Sequence, residues 1–300
     1  VRRRSAARNW IEYAAAFAVV KSLEWLPHGL ANALAHFYSG LLDRCMPRLR
    51  RVALRNLSMA LPEASPSERR AIVDEVFRSI GRLLFSVARF PRITAANVQD
   101  WIRYQGFEHY EAALRRGKGV LFATAHFGNW ELSAYAHALL SQPMHIVVRP
   151  LDNPLIDSLV ERRRTLSGNC LILKKDFARG ILKALSANEA VGILIDQNST
   201  PDSGVFIDFF GMPACATAGF ARLAAHSGAS VIPGYALWNH AECRYILKFY
   251  PAVEITGDVA ADTARLHKHL ESAIREHPGQ WLWIHRRWKT RPPGEPPLYE

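Results

Sequence analysis

Long uninterrupted apolar runs are missing from this sequence of 300 residues. A bilayer-spanning helix needs about 20 consecutive apolar residues. The most apolar stretch, Trp10 to Leu42, is broken by Glu12, Lys21, Glu24 and Pro27. Its cleanest part, Leu26 to Leu42, still contains Pro27, His28 and His36. The expectation is therefore a segment that lies at a membrane interface or inserts marginally. No short apolar core is followed by a small-residue cleavage site, so no cleaved signal peptide is expected. Cysteine is scarce: Cys45, Cys170, Cys215 and Cys243 are scattered, with no C-x-x-C. That excludes a zinc ribbon and fits a reducing compartment. The G-x-S-x-G of a covalent-nucleophile hydrolase is absent, as are the P-loop and G-x-G-x-x-G of nucleotide enzymes. His267 and His269 stand two apart on a helical stretch and face different sides, so no metal site is expected.

What is present is an excess of positive charge. The chain carries 38 Lys and Arg against 27 Asp and Glu, a formal +11, with a pI of about 9.8. A basic balance suits nucleic acid, anionic lipid or an acidic protein partner. Its distribution is informative. Residues 1–60 hold ten basic residues (Arg2, Arg3, Arg4, Arg8, Lys21, Arg44, Arg48, Arg50, Arg51, Arg55) against Glu12, Glu24 and Asp43. They sit among Ala, Leu, Trp and Phe, which fits an anionic membrane surface better than DNA. A solvated basic face on a helical subdomain is the plain alternative. Nucleic-acid binding needs a recognisable motif or an aromatic-basic platform, and none is present. A non-enzymatic basic membrane- or nucleic-acid-binding protein is the residual alternative. On the membrane reading Arg2, Arg3 and Arg4 stay on the cytoplasmic side.

The first 90 residues read as helices. Ser65, Pro66 and Glu68 form a capping box with proline at N1. Ile72, Val76, Ile80, Leu83, Leu84 and Val87 then mark one buried face, and Pro91 closes that helix. From about residue 102 strands and helices alternate. Strands are expected at 102–105, 119–125, 144–149, 170–173, 190–195, 205–209, 229–237 and 243–250. Helices are expected at 107–116, 129–140, 154–166, 176–187, 217–227 and 259–277. The alternation predicts an α/β fold, a mostly parallel or mixed central sheet flanked by helices. The 229–237 and 243–250 pair reads as an antiparallel hairpin at one edge. The domain division is 1–60, basic amphipathic helices that associate with membrane, and 61–300, the α/β domain with a helical lead-in over 61–100.

In open α/β sheets ligands bind at the carboxyl ends of the strands. Three strands deliver polar residues there. Strand 119–125 ends at His126-Phe127-Gly128-Asn129-Trp130-Glu131, strand 144–149 at Arg149-Pro150, and strand 190–195 at Asp196-Gln197. Gly128 permits a tight turn and Asn129 is a good N-cap. Glu131 falls in the first turn of the following helix, where it can meet His126. A carboxylate on one imidazole nitrogen makes the other a better base toward a hydroxyl. The plain alternative is a His and a Glu that cap and solvate a βα turn.

Five blocks of the sequence resemble one family. His126 to Glu131 matches the H-x-x-x-x-D/E motif of glycerolipid-type acyltransferases, in the H-F-G-N-W-E form of the lipid A biosynthesis (late) acyltransferases. Val148-Arg149-Pro150, Ile195-Asp196-Gln197-Asn198, Phe209-Phe210-Gly211-Met212-Pro213 with Thr217, and Trp283-Ile284-His285-Arg286-Arg287-Trp288-Lys289-Thr290 agree in order. The resemblance, over about residues 10–291, implies an enzyme on the cytoplasmic face of a bacterial inner membrane. It implies an acyl chain taken from acyl carrier protein and an ester formed on a hydroxyl of a lipid A precursor. The alternative is a lysophospholipid or glycolipid acyltransferase using acyl-CoA. No cofactor and no metal are implied. Carried onto this sequence, His126 is the general base and Glu131 orients it. Arg149, Asn129, Asp196, Gln197, Gly211 and Arg286 are implied substrate contacts. Asn129 is also explained by helix capping, Asp196 by a solvated strand end, and Arg286 by a basic surface strand.

Overall fold

Helix-forming sequence dominates the first third of the chain, and α4 organises it. The computed structural model describes residues 5–173 and 177–299, so Arg2, Arg3 and Arg4 lie outside the described residues. The helices α1 (Ala6–Trp25), α2 (His28–Cys45) and α3 (Pro47–Ala60) precede α4 (Pro66–Arg89). Ser65 Oγ accepts from the Glu68 N–H, and the Glu68 carboxylate accepts from the Ser65 N–H, which completes the expected capping box. The buried face of α4 is not the expected stripe. Val73, Val76, Phe77, Gly81, Phe85, Ser86 and Ala88 are buried, whereas Ile72, Ile80, Leu83, Leu84 and Val87 are only half-buried. The reason is that α4 is enclosed on several sides. It packs on α1, α2 and α3 and also on the helix that follows the His126 turn. At Gly81 a Cβ would stand 2.8 Å from His36 Nδ1 and 2.9 Å from Ser39 Oγ, so α2 approaches α4 closely here.

The α/β part contains β1 (Ile102–Gln105), α5 (Phe107–Leu114), β2 (Val120–Thr124), α6 (Trp130–Leu140), β3 (His145–Val148), α7 (Pro154–Thr165), β4 (Cys170–Leu173), α8 (Phe177–Ser186) and β5 (Ala190–Leu194). It continues with β6 (Gly204–Phe209), β7 (Met212–Thr217), α9 (Gly219–Ser227), β8 (Ser230–Asn239), β9 (Arg244–Phe249) and α10 (Val259–Glu276). The expected helix 176–187 begins outside the described residues. Seven strands form a mixed sheet in the order β1-β9-β8-β2-β5-β3-β4. Its interior strands β2 and β5 are apolar on both faces, as a sheet covered on both sides requires. Phe122, Ile232 and Leu247 pack under α5 and α6, while Leu121, Ile193 and Val231 pack under α8 and α9.

Two details differ from expectation. The β8–β9 hairpin is antiparallel but not at an edge, because β1 adds in parallel outside β9. No element is expected at 212–216, yet the segment Met212 to Thr217 is a strand. It pairs with β6 in a separate two-stranded sheet whose turn places Phe210 and Gly211 at positive φ. Pro213 and three small residues give Met212 to Thr217 little β propensity, which hid it.

Candidate active site

Parallel register builds the site. β2 and β5 pair with Thr124 beside Leu194, so the residues two further on, His126 and Asp196, emerge side by side. Chain connections leave β2 and β5 toward opposite sides of the sheet, which makes this pair a topological switch point. His126 Nδ1 lies 2.9 Å from Asp196 Oδ1. The other carboxylate oxygen accepts from the His126 backbone N–H at 3.0 Å and from Trp281 Nε1 at 2.9 Å. Burial alone would raise the pKa of Asp196, but the imidazole and these donors outweigh it and hold the carboxyl down to about 2. For His126, burial works against the charged form, and Asp196 overcomes it, so the imidazole titrates above its ordinary value. An ionised carboxylate on Nδ1 fixes the proton there and leaves Nε2 as the basic nitrogen. The Trp130 ring packs against the imidazole at 5.0 Å, and Gln197 Nε2 stands 3.3 Å from His126 Nε2.

The turn after His126 is held from behind by the tail. Leu282 N–H donates to His126 O, and Gly128 N–H donates to Gln280 O. Gly128 has φ +63°, and a Cβ there would lie 1.9 Å from Ala236 O, so no other residue fits this approach to β8. Asn129 is fully buried: its Oδ1 accepts from the Leu132 N–H, and its Nδ2 donates to Ser86 Oγ on α4. It caps α6 and ties it to α4, so it is not a substrate contact.

Glu131 does not touch the imidazole. Its carboxylate is gripped by Arg164 of α7, Nε to Oε2 at 2.9 Å and a terminal nitrogen to Oε1 at 2.5 Å. The expectation that Glu131 orients His126 is corrected here: the orienting carboxylate is Asp196. The physical reason is the sheet register, which presents Asp196 directly to Nδ1, while α6 carries Glu131 along the cleft wall toward α7. Glu131 still acts on His126 through charge, adding to the upward shift of its pKa. Sequence reasoning missed Arg164. The run Arg162-Arg163-Arg164 was its only signal, and its members diverge. Arg163 is buried against Glu24 and the Val87 and Ala88 carbonyls, while Arg164 faces the cleft.

A cleft of about 990 Å³ opens over this edge of the sheet. His126, Trp130, Glu131, Arg149, Arg164 and Gln197 line its polar mouth, and Phe122, His137, Met144, Leu247 and Phe249 line an apolar lobe beneath α6. Among the described residues, Arg149 and Arg222 enter the cleft without an ion pair. Gly211 sits in the β6–β7 turn, away from the cleft. Arg286 does not line the cleft either and lies over the Tyr299 ring. Its neighbours form a foundation: Trp281, Trp283, Arg287 and Trp288 are fully buried, and His285 Nε2 accepts from the Asn198 N–H. Within the basic tail block Trp283, Arg287 and Trp288 are interior scaffold, while Arg286 is half-buried and Lys289 is exposed. Sequence charge misleads there because the guanidinium of Arg287 is capped by the Cys215 carbonyl and the Phe209 ring.

Comparison with known proteins gives the family. Residues 2–290 match the family model described as bacterial lipid A biosynthesis acyltransferase. The chain is 31% identical over 294 residues to the lipid A biosynthesis lauroyltransferase of Escherichia coli (strain K12), covering 97% of this chain and 94% of that protein. It is 32% identical over 276 residues to the palmitoleoyltransferase of the same strain, covering 91% and 90%. The myristoyltransferase of that strain is 27% identical over 248 residues, covering 82% and 77%. With matches over nearly its whole length, the chain belongs to the bacterial lipid A biosynthesis acyltransferase family and is an acyltransferase.

Proposed function

We propose that the chain esterifies a hydroxyl of a lipid A precursor with an acyl group from a thioester donor, acyl carrier protein being the donor the sequence resemblance implies. The observation that carries this reading is the His126–Asp196 pair at the mouth of a cleft with an apolar lobe. The acceptor hydroxyl takes the place of Gln197 at His126 Nε2. As its oxygen attacks the thioester carbonyl, its proton passes to Nε2, and Asp196 stabilises the imidazolium. The tetrahedral oxyanion forms close to the N-terminus of α6, whose dipole favours negative charge. Collapse breaks the C–S bond, and the thiolate takes the proton back from the imidazolium. One ester forms, one thioester is lost, and the base is restored.

Arg149, exposed at the end of β3, suits a phosphate of the acceptor, since a guanidinium forks onto such oxygens. Arg164 holds Glu131 so that the wall opposite Arg149 stays in place. The reaction is assigned to the cytoplasmic face of a bacterial inner membrane. Among the described residues no helix is long and apolar enough to cross a membrane. Support for surface attachment comes from α1 and α2, where Trp10, Ile11, Trp25, Leu30 and Phe37 are exposed beside basic residues. The test is mass spectrometry of membrane lipids from cells lacking the gene, complemented with wild type or His126→Ala. Wild type restores a lipid A species heavier by one acyl chain, and His126→Ala does not. An unchanged lipid profile with wild type removes the reading.

A further inference from the structure

β3 and β5 share only two rungs of pairing, His145 with Val191 and Ile146 with Gly192. Both strands run on regardless. β3 continues to Val148 on its pairing with β4, and β5 continues to Leu194 on its pairing with β2. Beyond the second rung the sheet therefore splits, and Val147, Val148, Ile193 and Leu194 line the cleft. Such a split leaves backbone N–H and C=O groups on two facing edges without ladder partners. Alternation identifies one set. The Ile195 N–H donates to Thr124 O on β2, so its neighbour Leu194 turns its N–H and C=O the other way, into the split. The cleft lining also includes Phe177 and Phe220, from the core on the sheet face opposite α6, and Arg222, which makes no ion pair among the described residues.

Two open strand edges fit a narrow extended chain with in-line amides, which pairs with them as a peptide adds to a sheet edge. A guanidinium at the far end fits a phosphate. We infer that the split seats the phosphopantetheine arm of the donor, the chemistry that acyl-CoA and acyl carrier protein share. The inference rests on the acyl-transfer reading and gives each part of the donor a place. The phosphate meets Arg222, the two amides lie between β3 and β5, and the thioester arrives at His126 at the end of the adjacent strand. The acyl chain then turns into the lobe beneath α6.

Three thioesters of one acyl chain test this: those of 4′-phosphopantetheine, of pantetheine, and of ethanethiol, which keeps neither phosphate nor amides. The expected kcat/KM falls about tenfold at each step, the size of one or two lost polar contacts. Arg222→Gln abolishes the first step and leaves the other two donors within about twofold of wild type. Equal kcat/KM for all three donors, or an Arg222→Gln loss common to all three, overturns the inference. The acyl-transfer reading fails differently, with no donor turned over or with His126→Ala as active as wild type. Acyl-CoA and acyl carrier protein in the same assay separate the sources, and whichever is used loses about tenfold in Arg222→Gln. Calorimetry with 4′-phosphopantetheine alone gives a readout free of catalysis. Wild type binds it and Arg222→Gln binds about tenfold more weakly, while no binding by wild type contradicts the assignment.

Discussion

Two carboxylates flank the cleft, and they teach different things. Asp196 and Glu131 are both well buried, with side chains 4% and 13% exposed. Each is met by a nitrogen group at hydrogen-bond distance. The partner of Glu131 is a guanidinium, which stays charged at any working pH, so that pair is a fixed brace between α6 and α7. The partner of Asp196 is an imidazole, whose proton can leave and return. Burial of a charge pair therefore makes a fixed brace in one case and leaves a titratable group in the other, and the partner decides which.

The largest effect expected from breaking the comparison is at the imidazole and its carboxylate. Asp196→Asn should cut kcat by ~10²–10³-fold, within the range for a general base deprived of its orienting group. The pH profile sharpens this. On the proposed mechanism His126 is a base only when neutral, so kcat/KM should fall as pH drops through its raised pKa. Without Asp196 burial prevails, and the acid limb moves to lower pH. Steady-state kinetics across pH reads both.

Glu131→Gln should cost less, about tenfold in kcat, because it loosens a wall and weakens the field on His126 without freeing the ring. It leaves Arg164 half-satisfied in a partly buried position. Stability should fall by about 1–3 kcal/mol, the scale of a lost charged hydrogen bond. A urea titration measures it. The same loss of activity in Glu131→Gln and Asp196→Asn would erase the difference between the two carboxylates.

The sequence is legible where an apolar strand ends and opaque where distant elements meet. His126, Asp196, Gln197 and Arg149 are legible because each follows an apolar β-branched run at a strand's carboxyl end. Which carboxylate touches the ring is not legible, because it depends on the register between β2 and β5, strands 66 residues or more apart in the chain. Proximity in sequence favoured Glu131, whereas proximity in the sheet belongs to Asp196. Burial of Arg287 and Trp288 is likewise a tertiary fact. A basic aromatic block reads as surface until β7 and the β6–β7 turn are seen to cover it.

The pair also has a counterpart in the interior histidines. Burial holds His137 and His267 down to about 4, so they stay neutral in the folded chain. The unfolded chain protonates its histidines near pH 6.5. Stability linked to these two is therefore present above about pH 6.5 and is lost as pH falls toward 4. Asp196, held down to about 2, adds a further loss between the ordinary carboxyl range and that value. His126 acts in the opposite sense. Its raised pKa stabilises the fold below the unfolded value, and that contribution disappears as pH rises through the folded value. Denaturant midpoints measured from pH 8 to pH 4 should decline, and His267→Gln should flatten the decline. The smallest effect expected is at the periphery. Trp25→Glu should reduce retention on anionic vesicles by a factor of about three to ten, in a salt-dependent way, with transfer to a soluble acceptor unchanged.

The most direct test is the titration of the His126 imidazole itself, followed by nitrogen-15 NMR in wild type, Asp196→Asn and Glu131→Gln. The account requires a proton on Nδ1 and a pKa above 6.5 in wild type, a fall to or below 6.5 in Asp196→Asn, and a smaller decrease in Glu131→Gln. An imidazole pKa indifferent to Asp196, or lowered more by Glu131→Gln than by Asp196→Asn, would contradict it.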